Sequence, residues 1–289
     1  MTLSSPLSDD VRRVTDCEVA IVGGGPAGLM AAEVLASQGH SVHVFDAKAS
    51  VGRKFLLAGK GGLNLTHSED FSAFVTRYGA SAEPLRPMLE AFGPQQVREW
   101  VQGLGLQTFV GTSGRVFPSD MKAAPLLRMW MARLRQQGVR FHMHHHWTGW
   151  TEGGALQFTA QGAAVTVQAR ATLLALGGGS WARLGSDGAW MPWLAARGIA
   201  VSALQPSNCG FDVGQLQPAS VETRRDFLKD LVGQGPATSA GGWTPFFTQR
   251  FAGQPFKSVA LRFVDSQGQV FQRRGEFVAT QTGVEGSLI

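Results

Sequence analysis

At 289 residues, with 44% hydrophobic and 16% charged side chains, the chain is long enough for one large domain or two medium ones and is neither disordered nor fibrous. Its net charge of +5 favours anionic ligands such as a dinucleotide or a carboxylate, but the positive side chains stand in scattered pairs (Arg12 and Arg13, Arg133 and Arg135, Arg224 and Arg225, Arg273 and Arg274) with no run that would track nucleic acid. The two cysteines, Cys17 and Cys209, lie outside any CxxC and fit a reducing cytoplasm, while the first apolar run, Val19 to Val22, is too short for a signal segment or a membrane span.

In chain order, a polar leader over residues 1–16 precedes a buried parallel strand from Cys17 to Val22, closed by Gly23-Gly24-Gly25. Helix formers with helically spaced apolar residues follow from Ala27 to Gln38, with Gly39 as the stop signal, and Ser41 to Phe45 alternates again before Asp46. This is a βαβ unit. Val51 to His67 is glycine-rich and basic and reads as a long ordered loop; Phe71 to Leu106 reads as mostly helical, punctuated by Pro84, Pro87 and Pro94. Ala123 to Gln137 has the pattern of an amphipathic helix ending at Gly138. Three strand-like runs then spell a β-meander, Val139 to Trp147, Ala155 to Ala160 and Ala163 to Ala169, with a further apolar strand from Ala171 to Leu176 running into Gly177-Gly178-Gly179. Gly188 to Arg197 reads as a short helix. From Pro206 the pattern changes to proline, glycine and β-like runs (Phe256 to Val264, Val270 to Arg273), as expected of a second, mostly β domain.

The expected fold class is therefore α/β: a Rossmann-like domain with a β-meander over 17–205, and the start of a β-rich substrate domain over 206–289. Chemistry enters at Gly23-x-Gly25-x-x-Gly28, which sits between a strand and a helix. Gly23 permits the tight turn, Gly25 lets a pyrophosphate approach the backbone, Gly28 packs helix against strand, and the diphosphate meets the positive helix N-terminus. Asp46, ending the next strand, is placed to accept the adenosine ribose hydroxyls and disfavours the extra phosphate of NADP. FAD and NAD share this fingerprint, and the stretch Gly52 to Thr66, with cations and glycines just beyond the ribose position, favours FAD.

The blocks GGGPAGLMAA, GRK with GKGGLNLTH, GRVFPSDMKA, LLALGGGSWARLGSDG and GEFVATQTGVEGSLI resemble the BaiN-like NAD(P)/FAD-dependent oxidoreductases, bacterial flavoproteins of the glutathione-reductase-type superfamily, in the same order along nearly the whole chain. The resemblance implies that Gly23, Gly25, Pro26, Ala27 and Gly28 hold the pyrophosphate and that Asp46 and Ala47 lie at the ribose. It puts Arg53, Lys54, Asn64, Leu65 and Thr66 on the flavin side, the Trp147 backbone at the adenine, and Gly177 and Gly178 in a second glycine turn over the cofactor. It implies hydride transfer between flavin and a small organic substrate, with NAD(P) or oxygen as second partner, and it assigns no catalytic residue. Two departures stand out. Many relatives carry Arg-Cys where this chain has Gly62-Leu63, and relatives continue past a GVEGSLI-like segment to a further flavin-binding turn, so the chain is expected to be truncated. A noncatalytic flavin-binding fragment, an NAD-dependent dehydrogenase and, last, an RNA-associated flavoprotein are the alternatives.

Other residues draw attention but are read as structural. Strand alternation would put His142, His144 and His146 on one face, yet neighbours there stand roughly 7 Å apart, too far to share one zinc easily, and no metal site is expected. Trp181, Trp190 and Trp193 are read as core or interface, and Cys209 as a buried thiol.

Overall fold

The computed structural model describes residues 12–58, 62–205, 209–213, 243–264, 267–286 and 288–289; most of the polar leader, Lys60 and the expected domain start at Pro206 lie outside them. The chain divides into two compact units, Met1–Leu204 and Gln205–Ile289.

The first unit is built on a six-stranded sheet in the order β6-β2-β1-β9-β8-β7, where β1 is Arg12–Val22, β2 Val42–Asp46, β6 Arg140–Met143, β7 His145–Trp150, β8 Leu156–Ala160 and β9 Ala163–Leu174. Strands β6, β2, β1 and the end of β9 run parallel, and β7 and β8 pair antiparallel beside them. The two-residue period of a strand sorts the core. Val19 and Ile21 of β1, with Val42 and Val44 of β2, face helices α1 (Pro26–Ser37), α5 (Pro94–Gly103) and α6 (Ala123–Gln136), whose Leu29, Val101, Leu126, Trp130 and Leu134 complete one apolar layer. Ala20, Val22 and Phe45 face the other way, into a layer with Trp147, Leu156, Phe158, Val165 and Val167 of the meander. Burial on both faces is why these strands read as continuous apolar runs.

Helix α1 ends where expected. Gly39 takes φ +87°, its N–H reaches the Ala36 carbonyl at 3.0 Å and the His40 N–H reaches Leu35 at 3.1 Å, a pair that satisfies the last carbonyls of the helix. Its buried Glu33 ties three helices together, accepting from Trp100 Nε1 (3.0 Å), Trp130 Nε1 (2.6 Å) and Arg133 (2.7 Å).

Three expectations are corrected. The stretch read as one long loop, Val51 to His67, contains the short helix α2 (Arg53–Ala58) and the strand β3 (Thr66–His67). Strand β3 joins a three-stranded sheet with β5 (Arg115–Pro118) and β4 (Thr108–Val110). The two strands expected on either side of Arg170 are one, β9, which pairs antiparallel with β8 through Val167 and parallel with β1 from Val165 to Leu174. The histidine run is not one strand. His144 takes φ +58° and bonds to the Lys48 carbonyl, so β6 stops, the chain turns, and β7 begins on the far side of the sheet. The helical region after Phe71 resolves into α3 (Phe71–Thr76), α4 (Ala82–Ala91) and α5, and the short helix α7 spans Met191–Ala196.

The second unit holds a four-stranded antiparallel sheet, β10 (Phe211–Asp212), β13 (Gly283–Glu285), β12 (Val270–Ala279) and β11 (Pro255–Val264) in spatial order. Helix α8 (Pro245–Phe251), capped by the Thr244 hydroxyl, lays Phe247 and Phe251 on Phe256, which stacks on Phe277 at 5.0 Å.

Candidate dinucleotide site

Two glycine turns lie side by side at the carboxyl ends of the parallel strands β1 and β9, the position where open α/β sheets take ligands. In the first, Gly23 has φ +110° and gives its N–H to the Phe45 carbonyl at 2.8 Å; a Cβ there would fall 2.2 Å from the Ala175 carbonyl oxygen. Gly28 is just as constrained, since its Cβ would fall 1.9 Å from the Gly23 carbonyl oxygen. Gly25 differs: a Cβ on it meets no atom within 4 Å, and the residue borders a cavity. The first two glycines are required by the fold, and the third keeps space open.

Gly25 is also the N-cap of α1, with no side-chain cap and no acidic residue in the first turn. Pro26 has no N–H to offer, and the amides of Ala27 and Gly28 carry no hydrogen bond among the described residues, so the helix presents unpaired donors and the positive end of its dipole. Asp46 closes the arrangement. Its Oδ2 accepts the Gly24 N–H and its Oδ1 the Lys48 N–H, both at 2.8 Å, which fixes the carboxylate at the end of β2 with one lone pair on each oxygen still available.

The cavity beside Gly25, about 400 Å³, is lined by both glycine turns, by Asp46, Lys48 and Ser50, and by Arg53, Lys54 and Phe55 of α2. Lys54 bridges its walls, its Nζ donating to Ser180 Oγ at 2.7 Å and Ser186 Oγ at 3.4 Å, while Ser186 Oγ donates to the Gly178 carbonyl at 3.0 Å. A smaller cavity of about 140 Å³ abuts it, sharing Gly23, Asp46, Lys48, Leu176, Leu184 and Gly185. Ala47, Trp147, Asp187, Trp190 and Trp193 line that second space. Trp147 is buried there with its indole N–H free of any partner among the described residues, its ring edge-on to Trp150 and Trp193.

Of the candidate residues, Gly23, Gly25, Pro26, Asp46, Ala47, Arg53, Lys54, Trp147 and Gly177 line one or both cavities. Ala27, Gly28 and Gly178 line neither cavity. Asn64, Leu65 and Thr66 line neither cavity; they belong to the arm of the three-stranded sheet, where the Leu65 N–H bonds the Val116 carbonyl at 2.8 Å and Thr66 pairs with Val116. At the departure from Arg-Cys, Leu63 is buried in the helical layer. Sequence reasoning missed Lys48, Ser186 and Asp187. The last two stand in the quoted LGSDG run, and Lys48 is the cation nearest in sequence to Asp46, so a signal existed for each. Trp190 and Trp193 pack against the meander layer, as read, and also border the smaller cavity; Trp181 is half exposed under Arg183. No three His, Cys, Asp or Glu among the described residues come together as a metal-binding set, and no described helix is long and apolar enough to cross a membrane.

A parallel sheet with a glycine turn feeding an uncapped helix, and an acid held at the end of the next strand, defines a dinucleotide-binding protein of the Rossmann class. The chain belongs to the HI0933-like family: residues 17–285 match the HI0933-like protein Rossmann domain. A stretch of 44 residues is 50% identical to a thiamine thiazole synthase from Pyrobaculum islandicum, covering 15% of this chain and 17% of that protein. Among solved structures, the chain is similar to the 3-ketosteroid-delta4-(5alpha)-dehydrogenase of Rhodococcus jostii RHA1 (16% identity, 59% of this chain and 48% of that one, TM-score 0.44). It is also similar to THI4 of Thermovibrio ammonificans (18% identity, 56% and 58%, TM-score 0.38). The chain thus spans about a sixth of the curated relative and roughly half of each of these solved structures.

Proposed function

We propose that this chain binds FAD and serves a flavin-dependent oxidoreductase activity of the BaiN-like kind, acting on a small organic substrate in the cytoplasm with NAD(P) or oxygen as second redox partner. The observation that carries the reading is the cavity between the two glycine turns: it borders Gly25, where a Cβ would meet no atom, and its lining runs from Asp46 to the cationic Arg53 and Lys54 of α2, which supply positive charge beyond the expected ribose position. The α1 amides and dipole hold the pyrophosphate. Asp46, already oriented by two backbone donors, takes the ribose hydroxyls on its remaining lone pairs. Arg53 and Lys54 supply positive charge on the flavin side, and Lys54 keeps the second turn closed over the cavity through Ser180 and Ser186. Asn64, Leu65 and Thr66 act from the neighbouring arm, and the Trp147 strand faces the adenine. When bound, FAD supplies two-electron redox chemistry, and the protein's part is to place it and exclude water.

The test is the visible spectrum of the purified chain after FAD is added and the excess removed. Stoichiometric yellow protein with the two-band flavin spectrum is the expected result; a colourless protein that instead retains NAD overturns the assignment.

A further inference from the structure

Away from both glycine turns, a third cavity of about 380 Å³ lies between α6, the edge strand β6 and the 49–51 loop. Its walls are apolar on one side, with Val51, Leu127, Met131, Phe141 and Met143, and carry two guanidinium groups, Arg128 and Arg135. These arginines stand seven residues apart on α6, two helical turns and about 10 Å along the axis. Both are exposed, and neither makes an ion pair among the described residues, whereas Arg133 of the same helix is taken by Glu33 at 2.7 Å. Arg135 Cζ lies over the Phe141 ring at 5.9 Å, a cation–π contact that leaves its N–H donors for another partner. None of the lining residues is acidic. The volume falls within the ~300–1,000 Å³ of small-molecule sites.

We infer that this cavity is a binding site for a small aromatic carboxylate, its anion held by Arg128 and Arg135 and its ring against Phe141, Met131 and Met143. The charge complementarity selects an anion, since the site offers two forked donors and no carboxylate to neutralise them. The floor selects an apolar body, and two methionines let it adapt to the shape of the ring. The site does not rest on the flavin reading. It borders the cofactor region through Ser50, which lines both cavities, and through Val51, whose methyl stands where a Cβ on Gly24 would fall.

The full chain labelled at its methionine methyl groups, titrated with phenylacetate and in parallel with the uncharged phenylacetamide, tests the site directly. Saturable shifts of Met131 and Met143 with phenylacetate, and binding roughly tenfold weaker for the amide, are expected because the charged hydrogen bonds are lost. The Arg128→Gln/Arg135→Gln double variant loses a similar factor while the resonances of Met88, Met121 and Met191, which do not line the cavity, stay at their wild-type positions, which certifies its fold. Absent shifts, equal binding of acid and amide, full binding by the double variant, or shifts confined to those distant methionines overturn the proposal.

Discussion

Two glycines three residues apart do opposite work, and that difference is measurable. Gly28 lies against the Gly23 carbonyl oxygen, which a Cβ would approach to 1.9 Å, so Gly28→Ala pushes α1 off the turn at a cost of about 1–3 kcal/mol. Gly25 has open space on its Cβ side and φ −78°, a conformation alanine accepts, so Gly25→Ala leaves the folding free energy within about 0.5 kcal/mol of wild type. The methyl then occupies the approach to the helix N-terminus. Urea unfolding and a flavin titration on the two variants give crossed results on this account: Gly28→Ala less stable, Gly25→Ala stable but at least about tenfold weaker for FAD. A Gly25→Ala protein that binds FAD like wild type removes Gly25 from the pyrophosphate site.

The element that carries the clearest pH dependence is the β2–β6 strand pair. His142 of β6 sits in register with Phe45 of β2, stacks on it at 4.5 Å and shares a hydrogen bond with His43 at 3.1 Å. Burial, with further pressure from His43, His145 and Arg140, holds His142 down at about 4 from its ordinary 6.5, and burial lowers His43 as well. A depressed histidine means that the unfolded chain takes the proton first. Stability is therefore complete above about pH 6.5 and falls as pH drops toward 4, by on the order of 2 kcal/mol once partial solvent screening is allowed for. Urea unfolding of the wild type and of His142→Phe, which keeps a ring on Phe45, at pH 7 and pH 4.5 isolates this contribution. The variant loses less stability between the two pH values; equal losses assign the dependence to other groups. These same strands show how far local pattern reaches. The run from β1 through α1 to Asp46 is legible because period-two apolar residues, a glycine stop and a terminal acid each have one physical meaning there. Strand β9 was not, since Arg170 interrupts its apolar pattern just after its pairing with β8 ends at Val167, and only the pairing with β1 on both sides of Arg170 reveals one strand. The turn at His144 carries no glycine or asparagine to announce its left-handed backbone. Asp187, Ser186 and Lys48 reach the cavities from loops that become neighbours only when the two glycine turns are set side by side.

At the scale of the whole molecule, a net charge of +5 acts on an anionic cofactor before any contact forms, and Lys48, Arg53 and Lys54 concentrate that charge at the cavity. The attraction has two parts with different salt sensitivity. On the proposed binding mode, hydrogen bonds from the α1 amides act at contact and are little screened, whereas the pull of exposed side chains extends over a Debye length that shrinks from about 10 Å at 0.1 M salt to about 3 Å at 1 M. FAD affinity measured by equilibrium dialysis is therefore expected to fall by roughly three- to tenfold between 0.1 M and 1 M NaCl. Riboflavin, which lacks the pyrophosphate, controls for salt effects on the ring: its weaker binding stays constant or tightens slightly as salt strengthens apolar burial. If FAD and riboflavin respond alike, the basic side chains around the cavity do not steer the cofactor, and the dipole and amides of α1 account for anion binding without them.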